Sequence, residues 1–322
     1  MSVAVIGGAG FIGSNLVDEL MVQGFEVTVL DDLSEGKIDN LSRWKNSPRF
    51  TFVKGDIRDY DLVRRAVDRK SWVFHLAAMS RIQPSIKDPL QAMSINMMGT
   101  ANVLEACRQG GVKRVVYSAS SSAYGRKNAS WAEKTGFHEN LQTDCNSPYS
   151  FSKLTGEEVC HFYNSFYGLS TCALRYFNVY GPRHQETGSY ATVVAIFRKQ
   201  VREGKPMTVV GDGTQIRDFT FVGDVVRANM TAAMNQEACG VFNIGTGDNF
   251  SINEVAKLVG PNHPIEYIAK REGEYPVTKA DVKKARDVLG WKPMITFTDG
   301  LKVLDICEGS RSKKSSIIVT ER

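Results

Sequence analysis

The chain has 322 residues, enough for about two domains of ordinary size or one large α/β unit with an elaboration. Apolar residues make up 42% and charged residues 23% of it, both close to globular averages, which excludes a disordered chain. Forty Lys and Arg residues against 35 Asp and Glu residues give a net charge of +5. A surplus this small, spread along the chain, argues against nucleic-acid binding.

Several kinds of segment are missing from the sequence. No run approaches the ~18 apolar residues that a membrane span needs, and the N-terminus lacks the basic region of a signal peptide. The six cysteines are scattered without a Cys-x-x-Cys pair, which favours reduced thiols over disulfides or metal ligands. We therefore expect a cytoplasmic protein with no bound metal, no membrane association and no nucleic-acid partner.

Apolar runs and amphipathic stretches alternate along the first half of the chain. Residues 2–6 and 25–30 are apolar runs on either side of an amphipathic stretch, 14–23, which predicts a strand, a helix and a strand. The same alternation predicts strands at 50–54, 72–76, 112–118 and 170–175, and helices at 60–68, 96–109 and 152–166. This repetition predicts an α/β fold with a Rossmann-type, doubly wound parallel sheet.

The alternation becomes less regular after residue 182. Helices are predicted at 191–203, 223–234 and 252–259, and strands at 207–210 and 241–244. We predict a Rossmann-type domain over residues 1–175, to which a segment near 217–245 returns, and a smaller mixed α/β substrate domain over 176–309. The Ser/Lys/Arg-rich residues 310–322 are predicted to be a flexible tail.

Three glycines follow the first predicted strand. Gly7 permits a tight turn, Gly10 lets the backbone approach a pyrophosphate, and Gly13 lets the following helix pack on the strand. Asp31 ends the second strand, where its carboxylate can bind both ribose hydroxyls of NAD and would repel the 2′-phosphate of NADP. The alternative is an ordinary glycine turn beside an unrelated acid at the end of a strand. Because the three glycines and Asp31 occur together in this order, we favour NAD binding.

A tyrosine, a lysine and a serine form the candidate catalytic set. Tyr149 and Lys153 are four residues apart, so a helix places them on one face. A nearby ammonium group would lower the pKa of the phenol, which could then exchange a proton with a substrate hydroxyl. Ser120, at the end of a predicted strand, could share that proton. Alone, these patterns suit a helix surface and a turn; at the carboxyl ends of parallel strands they favour a site.

A longer set of motifs runs in order over about residues 3–295. They are 7–13 (GGAGFIG), Asp31, 55–59 (GDIRD), 75–78 (HLAA), Asn96, 118–122 (SASSS), Tyr149 with Lys153, 175–182 (RYFNVYGP), 217–219 (RDF) and 243–247 (NIGTG). As a set they resemble the extended short-chain dehydrogenase/reductases, specifically the UDP-sugar (UDP-glucose or UDP-N-acetylglucosamine) 4-epimerases. The resemblance implies that the second domain binds a nucleotide sugar.

The resemblance also implies residue roles. Tyr149, Lys153 and Ser120 would be catalytic. The cofactor residues would be Gly7, Gly10, Phe11, Ile12, Gly13, Asp31, Asp56, Ile57, Ala77, Ala78, Asn96, Ser118, Tyr149 and Lys153. The substrate residues would be Ser120, Ser121, Tyr149, Asn178, Arg217, Arg271, Glu274 and Thr278. Arg217 and Arg271 would clamp the diphosphate, although the residues alone equally suit surface ion pairs.

The reaction follows from the same resemblance. In the family, hydride leaves C4 of the sugar for NAD and a 4-keto sugar remains. Dehydratases of the family carry an Asp-Glu pair where this chain has Ser121 and Ser122, so we expect the keto sugar to rotate and take the hydride back on its opposite face. The expected enzyme is an isomerase, a UDP-sugar 4-epimerase with bound NAD. The alternatives are a nucleotide-sugar 4,6-dehydratase, another sugar epimerase and a non-catalytic NAD-binding protein.

Substrate range and assembly depend on further positions. Thr278 stands where glucose/galactose-restricted relatives place a bulky Tyr, so we expect UDP-GlcNAc and UDP-GalNAc beside UDP-Glc and UDP-Gal, unless Tyr275 fills that space. Arg81 and Glu272 depart from the family pattern, and Arg81 either reaches the substrate or faces solvent. The family implies a homodimer; the apolar stripe on the predicted helix 152–166 fits that and equally fits packing on the sheet.

Overall fold

The computed structural model describes residues 1–188, 190–270 and 275–318, with side chains as far as residue 307. Its strands are β1 (Ser2–Ile6), β2 (Glu26–Asp31), β3 (Phe50–Lys54), β4 (Trp72–His75), β5 (Arg114–Ser120), β6 (Thr171–Tyr176), β7 (Val179–Tyr180), β8 (Met207–Val210), β9 (Ile216–Arg217), β10 (Thr220–Phe221), β11 (Gly240–Ile244), β12 (Phe250–Ser251) and β13 (Ile265–Ile268).

Helices connect most of these strands. They are α1 (Phe11–Val22), α2 (Tyr60–Val67), α3 (Ile82–Lys87), α4 (Pro89–Met93), α5 (Thr100–Gln109), α6 (Ala129–Lys134), α7 (Pro148–Tyr167), α8 (Val193–Arg202), α9 (Val222–Met234), α10 (Ile252–Val259) and α11 (Phe297–Ile318). Short 3₁₀ turns lie at Ile38–Trp44 and Ser121–Tyr124, and π-helical turns at Ser94–Gly99 and Ala285–Leu289.

Seven strands form one parallel sheet in the order β11-β6-β5-β4-β1-β2-β3. Ile6 at the end of β1 pairs with Leu30 of β2 on one side and with His75 of β4 on the other. Strand order therefore reverses at β1, and the segments that follow β1, β2 and β4 meet at one edge. Open α/β sheets bind ligands at such a point.

Apolar side chains fill both faces of this sheet, which explains why its strands are continuous apolar runs. On one face, Leu16 of α1 and Val225 of α9 lie in one buried cluster. On the other, Val63 of α2, Leu104 of α5 and Cys160 of α7 lie in a second. Each large side chain buried in this way stabilises the fold by about 1.5–3 kcal/mol. The predicted fold class is confirmed.

The rest of the chain forms a smaller mixed region. In it β8 pairs with β13 in parallel and β9 with β12 antiparallel. A third apolar cluster joins α8, β8 and α10 through Phe197, Met207 and Val255. β11 follows β8–β10 in the chain but pairs with β6 at the edge of the large sheet. The domain boundaries at 175 and 309 stay a prediction.

Helix ends differ most from the predicted bounds. α7 begins at Pro148 rather than at 152 because the Ser147 hydroxyl accepts a hydrogen bond from the Ser150 amide and a proline suits the first helical position. The chain is helical through Ile318, although composition predicted a flexible tail from residue 310. Ser, Lys and Arg are all tolerated in helices, so such a composition does not exclude one.

A search of the described helices finds none that is both long and apolar enough to cross a bilayer. Among the residues that the structure describes, no group of three or more His, Cys, Asp or Glu side chains is arranged to hold a metal ion. The expected cytoplasmic location stays a prediction.

Candidate active site

A cavity of about 700 Å³ opens at the carboxyl ends of β1–β6. The predicted site residues on its walls are Gly7, Gly10, Phe11, Ile12, Gly13, Asp31, Asp56, Ile57, Ala77, Ala78, Ser118, Ser120, Ser121, Tyr149, Lys153, Asn178, Arg217 and Thr278. Arg271 and Glu274 lie outside the described residues. Asn96 lies behind the wall, where its buried side-chain amide forms hydrogen bonds with the backbone of Met79 and with the Ser152 hydroxyl.

The glycine turn has room for a ligand and for little else. Gly7 has φ +85°, and a Cβ there would collide with the backbone of Ala77. A Cβ at Gly13 would collide with the carbonyl of Gly7. Gly10 caps α1 without any side chain, so the amides of the first helical turn remain available to an anion. The turn fits the pyrophosphate of a dinucleotide.

Asp31 is held with acceptor capacity to spare. One carboxylate oxygen accepts a hydrogen bond from the Ala9 amide and the other from the Leu33 amide, both at 2.9 Å. A carboxylate accepts about four hydrogen bonds, so two remain for ribose hydroxyls. Burial raises the pKa of Asp31 above its ordinary value, and the two backbone hydrogen bonds oppose that shift. Together with the glycine turn, this carboxylate fits NAD.

Tyr149 lies in the first turn of α7. Its amide donates to the Ser85 hydroxyl at 3.0 Å, and its phenol lines the cavity together with Ser120. Burial raises the pKa of the Tyr149 phenol; the Ser120 hydroxyl and the positive charge of Arg81 oppose the shift. The sequence analysis did not expect this effect of Arg81, which lies three residues after the 75–78 motif. The effect on the phenol that it expected of Lys153 stays a prediction.

Lys153 is enclosed one turn further along α7. Its Nζ lies 4.4 Å from the centre of the Tyr117 ring, and the Tyr117 hydroxyl donates to the Lys153 carbonyl at 3.2 Å. Burial lowers the pKa of Lys153 to about 8, and the negative charge of Glu157 opposes that shift. Glu157 in turn forms a buried ion pair with Arg175 at 2.8 Å.

The serines at the end of β5 form a small hydrogen-bonded group. Ser120 accepts from the Ser122 hydroxyl at 2.9 Å and from the Ser122 amide at 3.2 Å. The Tyr275 phenol donates to the Ser122 carbonyl at 3.2 Å, so its ring lies against this turn. Hydroxyl groups therefore occupy the positions at which the dehydratases of the family carry acids.

The predicted substrate side is built around a buried carboxylate. The Asn178 amide donates to the Thr278 hydroxyl at 3.2 Å, and that hydroxyl accepts from the Asp218 amide at 3.3 Å. The Asp218 carboxylate accepts from the amides of Thr246, Gly247 and Ala280 at 2.8–3.0 Å. Asp218 thus joins the 217–219 and 243–247 motifs, although the sequence analysis gave it no role of its own.

Comparison with known proteins agrees with this geometry. The model of the family described as "NAD dependent epimerase/dehydratase family" matches residues 3–245. A UDP-glucose 4-epimerase of Mycolicibacterium smegmatis is 38% identical over 307 residues, 94% of this chain and 96% of the relative. A UDP-glucuronate 4-epimerase of Thermodesulfobacterium geofontis is 34% identical over 313 residues, 92% of this chain and 93% of the relative.

Solved structures agree as well. A UDP-N-acetylglucosamine 4-epimerase from Methanobrevibacter ruminantium, in complex with UDP-N-acetylmuramic acid, matches this chain with a TM-score of 0.86 at 31% identity. The match covers 94% of this chain and 97% of that one. The expected NAD dependence and the expected enzyme class, an isomerase of the UDP-sugar 4-epimerase group, are confirmed. The chain belongs to the NAD-dependent epimerase/dehydratase family.

Proposed function

We propose that this protein interconverts UDP-glucose with UDP-galactose, and UDP-GlcNAc with UDP-GalNAc, by inverting the configuration at C4. The observation that carries the proposal is that Tyr149 and Ser120 lie together on the wall of a cavity that fits NAD. The predicted roles of the other site residues form part of the same proposal.

Bound NAD supplies a hydride acceptor and donor at C4, so that the sugar is oxidised and then reduced. Tyr149 takes the proton of the C4 hydroxyl as the hydride leaves, and Ser120 holds the oxygen in line with the phenol. The Lys153 ammonium holds the ribose beside them. When the sugar presents its other face, Tyr149 returns the proton to the C4 oxygen. No net oxidation results.

The distribution of acids argues against dehydration, because elimination of water needs an acid beside C5 and C6. The carboxylates on the described walls are Asp31, Asp32, Glu35 and Asp56. They end or follow β2 and β3, whereas Ser120 ends β5, which lies beyond β1 and β4 in the sheet, and Tyr149 lies in the first turn of α7. The described wall near the reacting hydroxyl therefore offers phenol and hydroxyl groups, which suit proton transfer at one carbon.

Two residues bear on the sugar range. Thr278 is buried and hydrogen-bonded towards Asn178, whereas Tyr275 is hydrogen-bonded towards Ser122. Because their partners differ, the two side chains are held against different parts of the wall. The small side chain of Thr278 on the cavity wall supports the proposal that a 2-acetamido group is accepted.

Replacing Thr278 with Tyr is expected to lower kcat/KM for UDP-GlcNAc at least about tenfold relative to UDP-glucose, because the larger ring would fill the space proposed for the acetamido group. The two rates are measured in parallel by proton NMR. Thr298→Tyr, at an exposed position, is the control. An unchanged ratio in Thr278→Tyr would show that Tyr275 or another side chain sets the range.

The proposed activity is tested by incubating the purified protein with UDP-glucose or UDP-GlcNAc and no added NAD, and recording proton NMR spectra. Anomeric signals of UDP-galactose and UDP-GalNAc that settle at an equilibrium mixture are the expected result. Signals of a 4-keto-6-deoxy sugar would identify a dehydratase instead. No reaction of either sugar, even with NAD supplied, would show the proposal to be wrong.

We also propose a homodimer formed through α7. Three aromatic side chains on this helix are solvent-exposed in the single chain, Phe162 by 48%, Phe166 by 70% and Tyr167 by 45%. The rings of Phe162 and Phe166 stack at 5.4 Å. An exposed aromatic patch of this kind is typical of a protein–protein interface.

Replacing Phe166 with Glu is expected to convert the dimer into a monomer, because it would place a charge in the middle of the buried patch. Light scattering coupled to gel filtration measures the mass. Val22→Glu is the control, since Val22 is also apolar and 62% exposed but lies on α1. Monomeric wild-type protein at micromolar concentration would rule the dimer out.

A further inference from the structure

Arg81 is a cation on the cavity wall, and the part of the chain that the structure describes gives it no acidic partner. Its Nε and Nη2 atoms both donate to the Tyr190 carbonyl, at 3.2 and 2.9 Å. Among the described residues, no carboxylate lies within ion-pair distance of it. A guanidinium has five N–H donors, and a neutral carbonyl uses only two of them here. The remaining donors are available to a ligand in the cavity.

The segment that carries Arg81 is fixed to the catalytic helix. Both backbone groups of Met79 are held by the Asn96 amide, at 2.8 and 3.0 Å, and Asn96 also donates to Ser152 of α7 at 2.9 Å. On the other side of Arg81, the Ser85 hydroxyl accepts from the Tyr149 amide at 3.0 Å. Arg81 is therefore placed relative to Tyr149 by hydrogen bonds on both sides.

This placement puts Arg81 on the same cavity wall as Tyr149 and Ser120, where the proposed reaction takes place. The positive charge of Arg81 opposes the rise in the pKa of the Tyr149 phenol, which handles the C4 hydroxyl in that reaction. The proposed diphosphate residues Asn178 and Arg217 belong to other segments, after β6 and in β9. An anion that meets Arg81 is thus best supplied by the sugar itself.

Arg81 is half-buried, and a cation in that position without a counter-charge is costly, because it has lost hydration that a neutral carbonyl replaces only in part. Burial lowers the pKa of Arg81 from its ordinary value, in keeping with that loss. A carboxylate would restore the balance, and the fork of a guanidinium matches it in two parallel hydrogen bonds. In a uronic acid the carboxylate is carried by C5, the neighbour of C4.

We propose that Arg81 binds a carboxylate of the sugar and that the protein prefers UDP-uronic acids over neutral UDP-hexoses. The inference rests on the proposed 4-epimerase activity and names a substrate class for the same site. The chemical step is unchanged: C4 is oxidised and reduced again, and the carboxylate stays on the sugar throughout. That a 34% identical relative is named a UDP-glucuronate 4-epimerase is consistent with this class.

The test compares kcat/KM for UDP-glucuronate and UDP-glucose, measured by NMR on the NAD-bound enzyme. For the wild type we expect a ratio of at least about 10 in favour of UDP-glucuronate. In Arg81→Gln we expect that ratio to fall about 30-fold, mainly through KM for UDP-glucuronate. Arg81→Lys should recover part of the ratio, since a lysine keeps the charge without the fork. Arg69→Gln, at an exposed arginine, should leave the ratio as it is.

The outcomes separate this proposal from the one it rests on. Turnover of UDP-glucose without turnover of UDP-glucuronate would overturn the role of Arg81 and keep the epimerase activity. Failure of all UDP sugars would overturn both. A ratio unchanged in Arg81→Gln would assign Arg81 only to holding Tyr190. Equal weakening of UDP-glucuronate and of UDP, measured by calorimetry, would assign it to the diphosphate. If Arg81→Gln fails to fold, the wild-type enzyme alone still tests the preference. A wild-type kcat/KM for UDP-glucuronate lower than that for UDP-glucose would overturn it.

Discussion

Replacing Tyr149 with Phe is expected to lower kcat for UDP-glucose epimerisation about a thousandfold while NAD stays bound, because proton transfer by a placed side chain contributes roughly 10²–10⁴ in rate. Tyr149, in the first turn of α7, and Ser120, at the end of β5, line the same cavity. Of these two groups, the Tyr149 phenol is the one that we expect to accept the proton. A serine hydroxyl alone is too weak a base to replace it. Turnover is followed by NMR, and NAD is released with acid and quantified.

Tyr163→Phe is the matched control for this variant. Tyr163 lies on the same helix, α7, but its hydroxyl donates to Glu105 at 3.2 Å, away from the cavity. We expect its kcat to stay within about twofold of wild type. If Tyr149→Phe retains more than a tenth of the wild-type kcat, the proton is handled by another group.

Replacing Glu157 with Gln is expected to lower the free energy of unfolding by about 3–5 kcal/mol, because Arg175 would stay buried without its counter-charge. Arg175 Nε lies 3.1 Å from both carboxylate oxygens, and Nη2 lies 2.8 Å from one of them. The two side chains are only 5% and 2% exposed. Urea denaturation followed by circular dichroism measures the loss.

Two further variants make this measurement decisive. Glu157→Met combined with Arg175→Met should cost less than Glu157→Gln, since apolar side chains leave no buried charge. Glu105→Gln breaks a pair with Arg108 that is 28–38% exposed, and should cost at most about 1 kcal/mol. A Glu157→Gln variant no less stable than Glu105→Gln would show that Arg175 is satisfied by other groups, such as the Tyr124 ring at 4.6 Å.

Strands were easier to predict than helix ends, for a physical reason. β1 runs over residues 2–6 as predicted, because a strand buried in a parallel sheet is a short apolar run that ends where the apolar residues end. The start of α7 depends instead on the Ser147 cap, and Phe151 is the one strongly apolar residue in its first turn, 148–151. The hydrophobic pattern alone therefore places this helix too late.

Site residues in short motifs at strand ends were predictable, since register brings those ends together. Contacts between distant segments were not. Arg81 meets the carbonyl of Tyr190, 109 residues away, and Tyr275 meets Ser122, 153 residues away. The residues around Arg81 and Tyr275 in the sequence do not indicate which distant residue each of them will contact. The sequence analysis for this reason considered only Lys153, the neighbour of Tyr149 on the helix, and did not expect an effect of Arg81 on the Tyr149 phenol.

The position of β11 at the edge of the large sheet bears on how the chain folds during synthesis. Residues 240–244 complete a sheet whose other six strands end at residue 176. Until they leave the ribosome, β6 presents an open edge of unpaired amides and carbonyls, which is prone to pairing with other chains. A fragment that stops near residue 175 would keep the glycine turn and Tyr149 but would lack the strand that covers this edge. Such a fragment should aggregate rather than fold as an independent nucleotide-binding unit.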